Sequence, residues 1–193
     1  MAVNHSFSIL AISGSLRARS SNTEALRAAA MLAPPTVCVK MFDGLAALPP
    51  FNPDLDVEGA VPPATVGDFR KQIGAADALL ICSPEYAHGV PGSLKNALDW
   101  LVSAAEMVCK PIGLLNISPR STHAHASLAE TLRTMSTVVV PGASVELPLA
   151  GTALDAARIV AVPDFAKALR ASIDSLVDEV EHKRAVGEAV FCL

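Results

Sequence analysis

Ala78-Leu79-Leu80-Ile81-Cys82-Ser83 is a continuous apolar run of about strand length, followed at once by Pro84. A strand with one wet face alternates apolar and polar residues. A run that is apolar at nearly every position needs cover on both faces, as in the centre of a parallel sheet. Working outward, Phe7–Ile12 and Thr36–Phe42 are strand candidates on one side, and Pro111–Ser118 (PIGLLNIS) is a second buried strand on the other. Thr137–Val140 and a short Val145–Leu147 follow.

Helical segments separate these runs. The spacing predicts helices over Asn22–Ala33, from Pro62-Pro63 to about Ala75, over Ser93–Ala105 and over His125–Met135. The first opens on Ser21-Asn22-Thr23-Glu24, read as a capping box, and stops at Pro34-Pro35. The last helix, Asp164–Arg184, places Phe165, Leu169, Ile173, Leu176, Val177 and Val180 on one stripe. Residues 43–63 hold five of the 14 prolines and form a surface loop that covers something. Five main strands alternating with five helices predict an α/β fold: a flavodoxin-like three-layer α/β/α sandwich on a five-stranded parallel sheet, with residues 1–193 as one domain. In such folds ligands bind at the carboxyl edge, between the first and third strands.

Composition narrows the partners. The 193 residues are 51% hydrophobic and 18% charged, with net charge −4 and only eight aromatic residues: six Phe, one Tyr and one Trp. No basic cluster is present to neutralise successive phosphates, so nucleic acid is not an expected partner. No apolar stretch reaches the ~18 residues of a membrane helix, so no membrane partner is expected. Residues 1–13 carry no Lys or Arg before their apolar run and read as a lead into a strand rather than a secretion signal, which makes cytoplasmic residence the expectation. Cysteines 38, 82, 109 and 192 include no C-x-x-C pair, which supports neither a zinc ribbon nor a disulfide framework.

The loop after the first strand, Ser13-Gly14-Ser15-Leu16-Arg17-Ala18-Arg19-Ser20-Ser21-Asn22-Thr23, combines hydroxyls, two guanidiniums and backbone amides at a helix N-terminus. This is the chemistry of a phosphate site, with Arg17 the first guanidinium contact and Arg19 the second. The same residues also suit a plain helix cap with both arginines in solvent. Neither G-x-G-x-x-G nor G-x-x-x-x-G-K-[ST] occurs, so a dinucleotide site and a P-loop are disfavoured and a single terminal phosphate fits better. The loop after the third strand, Pro84-Glu85-Tyr86-Ala87-His88-Gly89-Val90-Pro91-Gly92, offers a tight backbone and one ring suited to a flat heterocycle, and it leads into Ser93-Leu94-Lys95-Asn96-Ala97-Leu98-Asp99-Trp100.

Together, Gly-Ser-Leu-Arg-x-x-Ser-x-Asn at 14–22 and Pro-Glu-Tyr followed by Pro-Gly-x-Leu-Lys-Asn-Ala-Leu-Asp-Trp at 84–100 resemble the NADPH-dependent FMN reductase family, which includes quinone and chromate reductases. The resemblance implies an FMN whose phosphate is held by Ser15, Arg17, Ser20 and Asn22, with Leu16 and Ser21 in the same cofactor-binding loop. It implies a ring contacted by Pro84, Glu85, Tyr86 and Ala87, with Ser118 on its other side. It further implies NAD(P)H as electron donor, a small-molecule acceptor such as a quinone, free flavin, azo compound or metal oxyanion, and a homodimer or homotetramer. No side chain is nominated as an obligatory catalyst, because hydride transfer between stacked rings needs distance and orientation. The alternative is a flavodoxin-type electron carrier without its own turnover.

This chain departs from the family at Ala87 and Gly89, where many members have Asn and Ser, and at Ser118-Pro119-Arg120-Ser121-Thr122, where a Gly-rich turn is often found. Arg120 either attracts nicotinamide-dinucleotide phosphates or is a solvated loop residue. Trp100 lies off the Leu94/Leu98/Leu101 stripe and is assigned to a second subunit. His88, His123 and His125 are read as surface residues rather than metal ligands.

Overall fold

The structure is a computed structural model, described over residues 7–149 and 154–187. Strand β1 (Phe7–Ser13) leads to helix α1 (Ser21–Leu32), β2 (Val37–Met41), α2 (Ala64–Ala75), β3 (Ala78–Cys82), α3 (Gly92–Asp99), β4 (Pro111–Asn116) and α4 (Thr122–Thr134). Then come β5 (Val138–Val139), β6 (Val145–Glu146), α5 (Ala156–Val160) and α6 (Pro163–Val186). The sheet is parallel in the order β2-β1-β3-β4-β5, with β6 also pairing β4. This is the expected flavodoxin-like arrangement.

The continuous apolar strands feed two separate cores. Ile9, Ala11, Ala78, Leu80, Cys82 and Leu115 face the layer that holds α1, α5 and α6. Their neighbours in sequence, Leu10, Ile12, Leu79, Ile81, Ile112 and Leu114, face α2, α3 and α4. The period-2 alternation of a strand thus becomes invisible in hydropathy, since both faces are dry. The stripe of α6 is as expected: Leu169, Ile173 and Leu176 are fully buried, while Phe165 and Val177 pack at its margin.

At the far edge, β5 pairs with the start of β4 and β6 with its end, and the chain steps through the short helical segment Pro141–Ala143 between them. A side chain on Gly113 would meet the carbonyl of Ala143 at 2.9 Å, so glycine is required where that step crosses β4. The Ser144 hydroxyl accepts from the amide of Leu114 at 3.3 Å and stands in for the missing ladder partner.

Several boundaries differ from expectation. The cap of α1 is Ser20, whose hydroxyl accepts from the Thr23 amide at 3.4 Å; Glu24 instead pairs with Arg27 and accepts from the amide of Ala156 at 2.9 Å. Helix α3 ends at Asp99 rather than near 105, and a turn and a short 3-10 segment follow it. Helix α4 starts at Thr122, and the one-turn α5 lies where no element was expected. Part of the expected 148–152 loop lies outside the described residues. Cys38 and Cys82 are free thiols, whereas Cys109 is disulfide-bonded, a bridge that the cysteine spacing, which supported no disulfide framework, did not reveal.

The assignment of Trp100 to a second subunit is corrected. Its side chain is 0% exposed within one chain; Nε1 donates to the carbonyl of Pro49 at 2.8 Å, and the ring meets Phe51 edge-on at 5.0 Å. Asn96 completes this fastening: Oδ1 accepts from the Phe51 amide at 2.7 Å and Nδ2 donates to Pro49 at 2.9 Å. Trp100 is buried in the same core cluster as Leu94, Leu98 and Leu101, and helical spacing could not show that the proline-rich loop folds back to cover it. Trp100→Ala is expected to destabilise the protein by about 3–5 kcal/mol, read as a lower urea midpoint.

Candidate functional site

The amide of Gly14 donates to the Cys82 carbonyl at 2.9 Å, the last rung between β1 and β3 before the two loops part. A Cβ on Gly14 would lie 2.6 Å from Ser83 Oγ and 3.0 Å from Leu94, so glycine lets the loops leave side by side.

Beyond it the hydroxyls turn inward and bind one another. Ser13 Oγ accepts from the Ser15 amide at 3.3 Å and from Thr23 Oγ1 at 2.9 Å, and Ser15 Oγ accepts from the Arg17 amide at 3.4 Å. Asn22 is buried, and its Oδ1 accepts from Cys82 Sγ at 3.2 Å. Burial pushes the Cys82 thiol upward, which keeps it protonated as that donor. Leu16, Arg17 and Arg19 point outward, and among the described residues no carboxylate pairs with either guanidinium.

After β3 the chain makes a two-residue turn. Tyr86 and Gly89 exchange backbone hydrogen bonds of 3.1 and 2.9 Å around Ala87 (φ +49°) and His88 (φ +59°). Both central residues are left-handed, a conformation that suits Asn or Gly and costs other residues about 1–2 kcal/mol. The Asn common at position 87 in the resembled family meets that need locally. Ala87 adopts the same backbone without that help.

Glu85 ties this turn to α4. Its Oε2 accepts from the amide of Ala124, in the first turn of the helix, at 2.8 Å, and Oε1 lies 3.2 Å from His88 Nδ1. The His88 and His123 rings meet edge-on, with centroids 4.4 Å apart. The Ala124 hydrogen bond, aided by His123 and His88, holds the Glu85 carboxyl below the usual carboxylate range. His125 is half-buried, and desolvation lowers its pKa against the pull of Glu146. Among the described residues no group of three or more His, Cys, Asp or Glu could hold a metal ion.

Between the loops lies a cavity of about 470 Å³, within the size range of small-ligand sites, lined by Arg17, Asn22, Ser83, Pro84, Glu85, Ile117, Ser118, Arg120 and Ser121. Of the residues expected from sequence, Arg17, Asn22, Pro84, Glu85 and Ser118 meet there. Ser15, Leu16, Ser20, Ser21, Tyr86 and Ala87 are outside its lining: Ser15 and Ser20 are buried in the loop, and Tyr86 is 52% exposed. Sequence reasoning missed Ser83, Ile117 and Ser121 as lining residues. Their signal was position alone, at the ends of β3 and β4, and Arg120 was left open between two roles.

The fold is flavodoxin-like, with a cavity at the carboxyl ends of β1, β3 and β4. The chain belongs to the NADPH-dependent FMN reductase family, whose model matches residues 7–152. It is 44% identical over 112 residues to an NAD(P)H-dependent FMN reductase of Pseudomonas aeruginosa, covering 57% of this chain and 59% of that one. It is 41% identical over 93 residues to a quinone reductase of Pseudomonas putida, covering 48% of each. The matches thus span about half the length of these curated relatives. Among solved structures, FerB, a flavoenzyme NAD(P)H:(acceptor) oxidoreductase from Paracoccus denitrificans, superposes with TM-score 0.73 at 26% identity, over 91% of this chain and 98% of that one.

Because its pKa is depressed, ionised Glu85 stabilises the fold above the ordinary carboxylate value and loses that effect as pH falls through the lowered one. In a carbon NMR titration its carboxyl resonance is expected to move below about pH 4.3, the ordinary glutamate value. A midpoint at or above that value would show that the link to α4 is not made in solution.

Proposed function

We propose that the protein binds FMN at the β1–β3 edge and uses it to pass hydride from NAD(P)H to a small oxidised acceptor, such as a quinone, free flavin, azo compound or metal oxyanion. The observation that carries this reading is the polarity of the crevice. Arg17 and Asn22 stand at the α1 end, and Pro84, Glu85 and Ser118 at the ends of β3 and β4.

The donor set suits the cofactor. Arg17 and the amides at the start of α1 offer positive charge and N–H groups to a terminal phosphate, with no carboxylate in that loop to repel it. Pro84 and Ser118, at the ends of adjacent strands, leave a slot for a planar ring. FMN, when bound, supplies two-electron hydride chemistry. The protein's part is to bind, orient and exclude water. Ser15, Ser20 and Asn22 shape the loop from inside, while Arg17 makes the charged contact. Arg120, exposed beside the cavity, suits the phosphates of the nicotinamide donor. Leu16 (57% exposed) and Tyr86 (52% exposed) leave apolar surface on both loops, which supports a homodimer or homotetramer.

The purified protein supplied with FMN is expected to bind it and to bleach on anaerobic addition of NADPH. Bound flavin that stays oxidised would instead leave an electron carrier, and no flavin binding would refute the site. Arg17→Ala is expected to weaken FMN binding about 10- to 100-fold by fluorescence titration, the worth of one charge-assisted hydrogen bond.

A further inference from the structure

Strand β3 is apolar at every position but its last, where the thiol of Cys82 is the one side chain of the strand that can donate a hydrogen bond. Cys82 is fully buried in the core that packs against α1. Its donor goes to Oδ1 of Asn22, at 3.2 Å and across 60 positions of sequence.

Asn22 is the other half of the pair. It lies in the first turn of α1, is 7% exposed and lines the cavity together with Arg17. A side-chain amide has an accepting oxygen and a donating nitrogen, and here the thiol occupies the oxygen. Among the described residues Nδ2 has no hydrogen-bond partner, yet none of their buried side-chain nitrogens or oxygens is left unpartnered. Nδ2 therefore reaches open space, and for so buried a residue that space is the cavity it lines.

We propose that Cys82 is a positioning residue for the flavin phosphate: its thiol fixes the Asn22 amide with the nitrogen toward the cavity, so that the site selects a phosphorylated flavin over the unphosphorylated one. The two orientations of the amide differ in sign at the cavity. Turned over, Asn22 would present a carbonyl oxygen to a group of nearly two negative charges and repel it. Burial keeps the Cys82 thiol protonated, and its hydrogen holds the oxygen on the core side. An apolar residue at 82 would leave that oxygen buried with no donor. The orientation is thus set before a ligand arrives, which spares the ligand the cost of imposing it.

This inference rests on the proposed FMN site, and the test keeps the two apart. Dissociation constants of FMN and of riboflavin, the same flavin without phosphate, are measured by fluorescence titration of the full chain freed of flavin. Cys82→Ala is expected to lower the preference for FMN over riboflavin about 3- to 10-fold, the worth of one neutral hydrogen bond. In an Asn22→Ala background the same substitution is expected to leave the preference unchanged, because the thiol acts through the amide. A mere loosening of the core weakens both ligands together and does not move the ratio. An unchanged ratio in Cys82→Ala, or an equal fall with Asn22 already replaced, would overturn the role of Cys82 alone. Wild type that binds FMN no more tightly than riboflavin would overturn the phosphate site with it. As a readout without ligand, the infrared S–H stretching band that Cys82→Ala removes is expected to move to higher frequency in Asn22→Ala. A band that stays in place would refute the hydrogen bond on which the assignment stands.

Discussion

The structure depends on the burial of β3 on both faces, between β1 on one edge and β4 on the other. Connections to a strand so enclosed must cross over a layer of helices, and the hand of such crossovers is fixed. The chain therefore leaves β1 toward the α1 layer and leaves β3 toward the α3 layer. Two adjacent strands whose loops diverge to opposite faces open a crevice at their carboxyl ends, and that is where the cavity lies. The Gly14–Cys82 hydrogen bond marks the last point at which the two segments remain together.

The walls of the crevice divide labour in a way that residue type alone hides. Serines of the first loop also brace the loop itself: Ser13 accepts from Ser15 and Thr23, Ser15 from the Arg17 amide and Ser20 from the Thr23 amide. Their hydrogen bonds aim Arg17 outward. On the opposite wall, Glu85 is held by a backbone donor of α4 and lies 3.2 Å from the His88 imidazole, which stations its carboxylate at the cavity. The second motif likewise owes much to fastening. Asn96 and Trp100 grip the backbone at Pro49 and Phe51, which turns a proline-rich loop into a fixed cover.

Much of this was legible along the chain. Apolar runs at 78–82 and 111–116 announced central strands because no other environment accepts them, and the α6 stripe named its own buried face. The two loops were recognised by the chemistry they share with a family, and four residues read from them, with Ser118 beyond β4, do meet in the cavity. Less legible was whatever depended on segments far apart in sequence. The cap is Ser20 rather than Ser21, and Glu24, free of a capping box, accepts from the amide of Ala156, more than a hundred residues away. Trp100 became core because Pro49 and Phe51 came to it.

By itself, then, the sequence determined the layered parallel fold, the edge at which the cavity opens and the family to which the chain belongs, since period, hydropathy and short motifs are local properties. Tertiary structure alone decided which motif residues line the cavity and which hold the scaffold. It also decided that His88, Glu85 and His123 form one cluster. Those choices turn on packing between the β3 loop and the first turn of α4, where hydrogen bonds and ring contacts depend on distances that spacing along a chain does not encode.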